Sequence, residues 1–168
     1  MSPGASTSPE QRLAAAGLAL PPAPLPRGSY APCHVHEVAP GQRWVAVSGQ
    51  TSRVDGKPLS GICEADADLE PARHAARVAM LNALAALRTA CGGGLARVQH
   101  VMRLRGFVRS GAGFGAHPLV LDAASDVLAI AFPQHALPAR SAVGVASLPD
   151  GVWVELELDA LLSPATSG

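Results

Sequence analysis

Lysine is almost missing from this chain, where Lys57 alone stands among thirteen basic residues. Thirteen acidic residues balance them, and no Lys/Arg block occurs anywhere. A protein that grips nucleic acid by neutralising phosphates needs a basic stripe, so the charge pattern argues against that partner. Aromatic residues make up only 4% of the chain, too few for a series of base-stacking platforms. No apolar run approaches the roughly 20 residues of a membrane span, so no membrane partner is expected. Cys33, Cys63 and Cys91 are odd in number and lack a C-x-x-C spacing. Free thiols in a reducing cytosol follow from that, with a cytoplasmic location. The motifs G-x-S-x-G, H-E-x-x-H and the P-loop lysine are also missing, which removes the common hydrolase and nucleotide-hydrolase readings.

What the chain has instead is Ala, Val, 17 glycines and 15 prolines in 168 residues, the length of one domain. Such small side chains favour close packing between elements. Residues 1–7 read as a disordered tip. Ser8-Pro9-Glu10-Gln11 forms a capping box with Pro at the first helical position, and Gly17 ends the short helix. That origin also explains the apolar stretch Leu13 to Leu20, which lacks the basic flank of a signal peptide. Pro21-Pro22-Ala23-Pro24-Leu25-Pro26 is an extended, polyproline-like arm.

Strands are expected over 31–38 and 44–48, with Asp55-Gly56 turning a hairpin, so that 30–62 is an antiparallel meander. The pattern then changes. From Glu70 to Cys91, Ala72, Ala76, Met80, Leu84, Leu87 and Cys91 recur at helical spacing, and Gly92-Gly93-Gly94 terminates the run. A strand over 98–108, a Gly-rich loop over 111–115 and a helix from Pro118 to about Ala131 come next. Two strands, 141–148 and 152–161, close the chain as an expected hairpin about Pro149-Asp150-Gly151. In that hairpin Ala142, Gly144, Ala146 and Leu148 would oppose Val152, Val154, Leu156 and Leu158 beneath the helices. The other face would carry Val143, Val145, Trp153, Glu155, Glu157 and Asp159, a mixture suited to another subunit. An oligomer is therefore expected.

Several groups of residues suggest chemistry. His34-Val35-His36 puts two imidazoles on one strand face, but no third or fourth ligand is near in sequence, so no metal site is assigned. Gly111-Ala112-Gly113-Phe114-Gly115-Ala116 matches G-x-G-x-x-A between a strand and a helix. The acidic residue that a dinucleotide site needs about 20 positions on is not there, which makes the segment a flexible loop. No cofactor is expected. Ser48-Gly49-Gln50 ends a strand with a glycine that lets a ligand approach the backbone. Arg140 enters a small-residue strand. It is either a fork for a small-molecule carboxylate or half of a salt bridge with an acid on the same sheet.

The segment Pro138-Ala139-Arg140-Ser141-Ala142-Val143-Gly144-Val145-Ala146-Ser147-Leu148-Pro149 resembles the signature of the RidA/YjgF family, approximately P-x-R-[SA]-x-V-x-V-x-x-L-P. Supporting similarity covers Gly28-Ser29-Tyr30, Val47-Ser48-Gly49-Gln50, Asp55-Gly56, Asn82 and Val154-Glu155-Leu156-Glu157. The family carries the older label endoribonuclease L-PSP. The resemblance spans about 28–161, and the segment 8–27 marks a branch with an extended N-terminal arm. It implies an α/β (α+β), chorismate-mutase-like mixed sheet with two helices on one face, in a homotrimer with clefts between subunits. It divides the chain into an arm (1–27), a RidA-like domain (28–162) and a disordered tail (163–168).

The same resemblance implies hydrolysis of enamine/imine intermediates such as 2-aminoacrylate to keto acid and ammonia. Arg140 would hold the substrate carboxylate and Glu155 would orient or deprotonate the water. Tyr30, Ser48 and Gly49 would line the pocket, joined by Ser125 and the backbone of Ala142. Two departures stand out, since many relatives have Asn where Ser125 falls and Cys where Ala142 stands. In the expected hairpin Arg140 and Glu155 lie about five residues apart, roughly 17 Å, so a cleft shared between subunits is required. The alternative function is a trimeric carboxylate-binding or regulatory protein without efficient turnover.

Overall fold

A computed structural model describes residues 7–135 and 137–164; the tip at 1–6 and the tail at 165–168 lie outside the described residues. The chain runs α1 (Pro9–Ala15), β1 (Cys33–Ala39), β2 (Gln42–Thr51), β3 (Arg53–Val54), β4 (Lys57–Pro58), α2 (Leu69–Ala90), β5 (Val98–Arg109), α3 (His117–Ala131), β6 (Ala139–Val145) and β7 (Val154–Leu162). Local chemistry accounts for most of the boundaries. Ser8 caps α1 reciprocally with Gln11, and Gly17 leaves it at φ 75°. Gly92 ends α2 in the same left-handed way, at φ 83°. Asp55 and Gly56, both at positive φ, turn the short β3–β4 ribbon.

Five strands form one mixed sheet in the order β1-β2-β7-β5-β6. All neighbours are antiparallel except β5 and β6, which run parallel with α3 as the crossover. The expected final hairpin is therefore wrong. β6 and β7 follow each other in sequence, yet β5 lies between them and pairs with both. Its twelve residues from Val98 to Arg109 supply ladder partners on both sides, which a hairpin would have left at an edge. The facing survives the correction. Ala142, Gly106 and Leu156 still share one side of the sheet, as do Gly144, Val108 and Val154.

That side carries the helices. α2 packs across β2 and β7, α3 across β5 and β6, and the two helices pack on each other. The alanines of α2 do what their size suggests: Ala72, Ala75, Ala76, Ala79 and Ala83 are wholly buried beside Met80, Leu84 and Leu87. On the facing sheet Leu104, Leu156 and Leu158 are equally buried. Gly106 lets α3 approach closely, because a Cβ there would meet Leu121 Cδ1 at 2.0 Å. α1 joins the same core. Leu13 is fully buried, and the Arg12 guanidinium donates to Ala131 O at the end of α3. The opposite sheet face has no helix over it, and Trp44 and Val143 lie exposed there. Trp153, expected on that face, precedes β7, and its indole occupies the space above Gly61.

Candidate active site in two halves

The first half forms where β2 outruns β1. Cys33 is paired with Val47, and the ladder between the two strands ends there. A bulge between Val47 and Gln50 lifts Ser48-Gly49 out of the ladder with β7, the kind of irregularity that re-aims side chains at sites. Several bonds hold it in place. Ser48 Oγ donates to Ala31 O at 2.6 Å, and Ser48 N–H donates to Pro32 O. From the helix side, the buried amide of Asn82 donates to Thr51 O and Arg53 O, both at 3.0 Å.

Glu155, on β7 opposite Thr51, lies over the bulge. Its carboxyl fills the place of the side chain that Gly49 lacks, since a Cβ on Gly49 would stand 2.0 Å from Glu155 Oε1. Burial pushes the Glu155 carboxyl above the ordinary carboxylate range, and neighbouring Glu157 pushes the same way. Tyr30 completes the corner, its phenol oxygen accepting from Arg27 N–H at 3.3 Å. Tyr30, Ser48, Gly49, Glu155 and Glu157 all border one open cleft of about 1110 Å³.

Two arginines of this cleft were not singled out in the sequence. Arg53 and Arg27 both reach Asp150, Arg53 directly and Arg27 at 3.5 Å. The hydrogen bond and charge of Arg53 hold the Asp150 carboxyl below its usual range, with Arg27 assisting. The sequence signal was weak, because Arg53 and Asp150 lie 97 residues apart.

The second half belongs to β6 and α3. Arg140 Nη1 donates to Asp122 Oδ1 at 2.8 Å and to Ser125 Oγ at 2.9 Å, while Nη2 lies 3.4 Å from Pro118 O. The acid that pairs with Arg140 is thus on the crossover helix, not on the sheet as one reading expected. Asp122 and Ser125 face it together because they are one helical turn apart. Ala142 follows on the same strand face. Beyond it Ser110 Oγ and His117 Nε2 are 3.0 Å apart, passing over Gly144, where a Cβ would meet the imidazole at 2.4 Å.

One chain does not bring the halves together. Arg140 pairs with Leu104, and Glu155 is opposite Phe107, three positions along β5 instead of the five expected from a hairpin. Ladder partners share a face, so Arg140 lies with buried Leu104 and Leu158 on the helix side. Glu155 belongs to the other side with Phe107 and Thr51. The sheet itself stands between Arg140 and Glu155. Along the bare face the charges pair locally: Arg105 reaches Asp159 at 2.9 Å and Glu157 at 3.7 Å.

His34 and His36 lie exposed on β1, and no group of three or more metal-ligating side chains occurs among the described residues. The three cysteines are free, and burial pushes each thiol up to about 11. No helix among the described residues is long and apolar enough to cross a membrane.

Residues 10–149 match the model of the family described as "YjgF/chorismate_mutase-like, putative endoribonuclease". The chain belongs to this YjgF/chorismate-mutase-like family and has its fold. Protein TCP17 of Trypanosoma cruzi is 34% identical over 143 residues, covering 84% of this chain and 86% of that one. Among solved structures, the protein Atu1372 of Agrobacterium tumefaciens, of unknown function, is 32% identical with a TM-score of 0.79, covering 94% of each chain. A Shewanella oneidensis structure described as "a putative endoribonuclease" is 33% identical, with a TM-score of 0.78, covering 92% of this chain and 99% of that one.

Proposed function

We propose that the protein is an enamine/imine deaminase that works as a homotrimer, each cleft combining the Glu155 corner of one copy with the Arg140 strand of another. The observation that carries this reading is the convergence of Tyr30, Ser48, Gly49 and a half-buried Glu155 on one cleft, Glu155 being seated by a bulge and a glycine. The chemistry asked of such a site is modest. 2-Aminoacrylate tautomerises to an imine, whose carbon is already electrophilic. Glu155 takes a proton from water as the water oxygen bonds to that carbon, and the C=N electrons move onto nitrogen. Glu155 returns that proton to the nitrogen, which gives the carbinolamine. It then takes the proton of the new hydroxyl and passes it to the amino group as the C=O bond forms and the C–N bond breaks, releasing ammonia and the keto acid. A carboxyl raised by burial is a stronger base once ionised, which suits it to this transfer. Arg140 holds the carboxylate by a two-pronged hydrogen bond and so fixes the imine carbon against the water. The free thiols fit a reducing compartment such as the cytoplasm.

A second reading, a trimeric carboxylate-binding or regulatory protein, is favoured by one feature. Arg140 already has a carboxylate partner in Asp122, so a ligand must displace or share it. The deciding measurement is hydrolysis of 2-aminoacrylate, generated in situ by a serine or threonine dehydratase. Acceleration by wild type that Arg140→Ala abolishes supports catalysis. Carboxylate binding without acceleration supports the second reading. Salt-sensitive RNA binding with cleavage would instead favour the ribonuclease activity in the family's description.

A further inference from the structure

The glycine-rich loop 111–115 completes no dinucleotide fingerprint, yet it joins two residues of complementary chemistry. Ser110 follows β5 and His117 opens α3, and Ser110 Oγ lies 3.0 Å from His117 Nε2. At that separation an imidazole can take a hydroxyl proton. Neither side chain makes another hydrogen bond among the described residues. Both are half-buried, and both stand outside the cleft that Glu155 lines. They meet over Gly144, which is four residues from Arg140 along β6, roughly 13 Å at strand rise. The pair is therefore separate from the carboxylate anchor.

Several contacts hold the pair in place. Ser110 N–H donates to Val145 O, and the next N–H, of Gly111, donates to Cys63 O. Phe114 packs against the His117 ring edge to face, at 87° with the centroids 5.2 Å apart. The strand beneath gives way to both side chains: a Cβ on Gly144 would stand 2.4 Å from His117 Nε2 and 2.6 Å from Ser110 Oγ. The loop itself is open. Apart from chain neighbours, nothing lies within 4 Å of the place a Cβ would take at Gly113 or Gly115. The N–H groups of Gly113, Gly115 and Ala116 donate to no acceptor among the described residues, which leaves them free for a developing oxyanion.

We propose that Ser110 and His117 are a nucleophile and its base, a second reactive centre that accepts acyl groups from small activated esters. With the imidazole proton on Nδ1, Nε2 accepts the Ser110 hydroxyl. Oγ bonds to the ester carbonyl carbon as Nε2 takes its proton. The tetrahedral intermediate breaks its bond to the alcohol oxygen, the alcohol leaves with that proton, and the acyl group stays on Ser110. Water then reverses the transfer. Its oxygen bonds to the acyl carbon as Nε2 takes its proton, and Ser110 Oγ leaves with that proton to release the carboxylic acid. No carboxylate bonds to His117 among the described residues, and Phe114 and Gly144 fix the ring by shape instead.

The test uses the full chain with 4-nitrophenyl acetate. Wild type should release a burst of 4-nitrophenolate, and mass spectrometry of the digested protein should find an acetyl group on Ser110. Ser110→Ala should lose the burst. His117→Gln can still hydrogen-bond to Ser110 Oγ and so keeps a purely structural contact, but it cannot take the proton. Its acylation should be slower by about a hundredfold or more. Thermal melts check that both variants fold, and the site of acetylation in wild type decides the matter if one does not. No burst, acetyl groups only on other residues, or a His117→Gln variant that reacts like wild type overturns the inference. None of these outcomes depends on the deaminase reading.

Discussion

The two halves of the site are built on opposite electrostatic plans. Around Arg140 both terminal nitrogens have partners on the helix-covered side of the sheet: Asp122 and Ser125 for Nη1, Pro118 O for Nη2. Around Glu155 the arrangement is reversed, because its carboxyl is half-buried over Gly49 with like-charged Glu157 as neighbour. In the proposed reading this paired cation is a resting anchor, and the substrate carboxylate would take the place of Asp122. A carboxyl lacking compensation is reactive toward protons, and the fold tolerates its cost because a bulge and a glycine make room for it. Anchoring and proton transfer thus place contrary demands on a charge, and the sheet keeps the two apart.

The sharpest way to break this comparison is to separate the halves onto different chains. Arg140→Ala and Glu155→Gln should each lower turnover by about a hundredfold or more. Mixed trimers formed by co-expressing the two variants should recover activity in about a quarter of their clefts, since in the proposed assembly each cleft would draw one half from each of two copies. No recovery would mean that the halves never meet. Next in size is Gly49→Ala, whose Cβ would collide with Glu155 Oε1. Turnover should fall about tenfold or more with the melting temperature almost unchanged, because only the carboxyl has to move.

Gly106→Ala tests the opposite balance. The new Cβ would press on Leu121 in the core, so chemical denaturation should show a loss of about 1–3 kcal/mol. Asp122→Asn weakens the resting partner of Arg140 and should tighten carboxylate binding several-fold in calorimetry. Weaker binding would show that Asp122 positions the guanidinium and does not compete for it.

The smallest effect expected is on stability against pH. The folded protein holds the Glu155 proton more tightly than the unfolded chain. The stability this contributes is present below the ordinary carboxyl range and is lost as pH rises through the raised value. Thermal melts should therefore show wild type losing ground to Glu155→Gln from acid to neutral pH. A constant difference would mean that the carboxyl is not perturbed.

Much of the architecture was legible because it rests on local rules. The capping box at Ser8, the left-handed exits at Gly17 and Gly92, the Asp55-Gly56 turn and the apolar stripe of α2 each depend on residues within a turn or two. The missed element was nonlocal. Nothing between Ala139 and Leu162 says that β5, thirty residues earlier in the chain's course, separates β6 from β7, because a tight turn is the default reading of two strands joined by Pro149-Asp150-Gly151. The same gap hid the pairing of Arg53 with Asp150 and of Arg140 with Asp122, contacts made by topology and not by spacing.

By itself, then, the sequence determined roughly where the helices and strands lie and which strand faces are apolar, and it offered the candidates for the chemistry. Those follow from backbone sterics, capping and hydrophobic periodicity, all short-range. Strand order was decided only in three dimensions, where the long β5 satisfies ladder hydrogen bonds on both sides at once. That order puts Arg140 and Glu155 on opposite faces of one sheet, and it brings the N-terminal arm to the edge of the cleft that Glu155 lines.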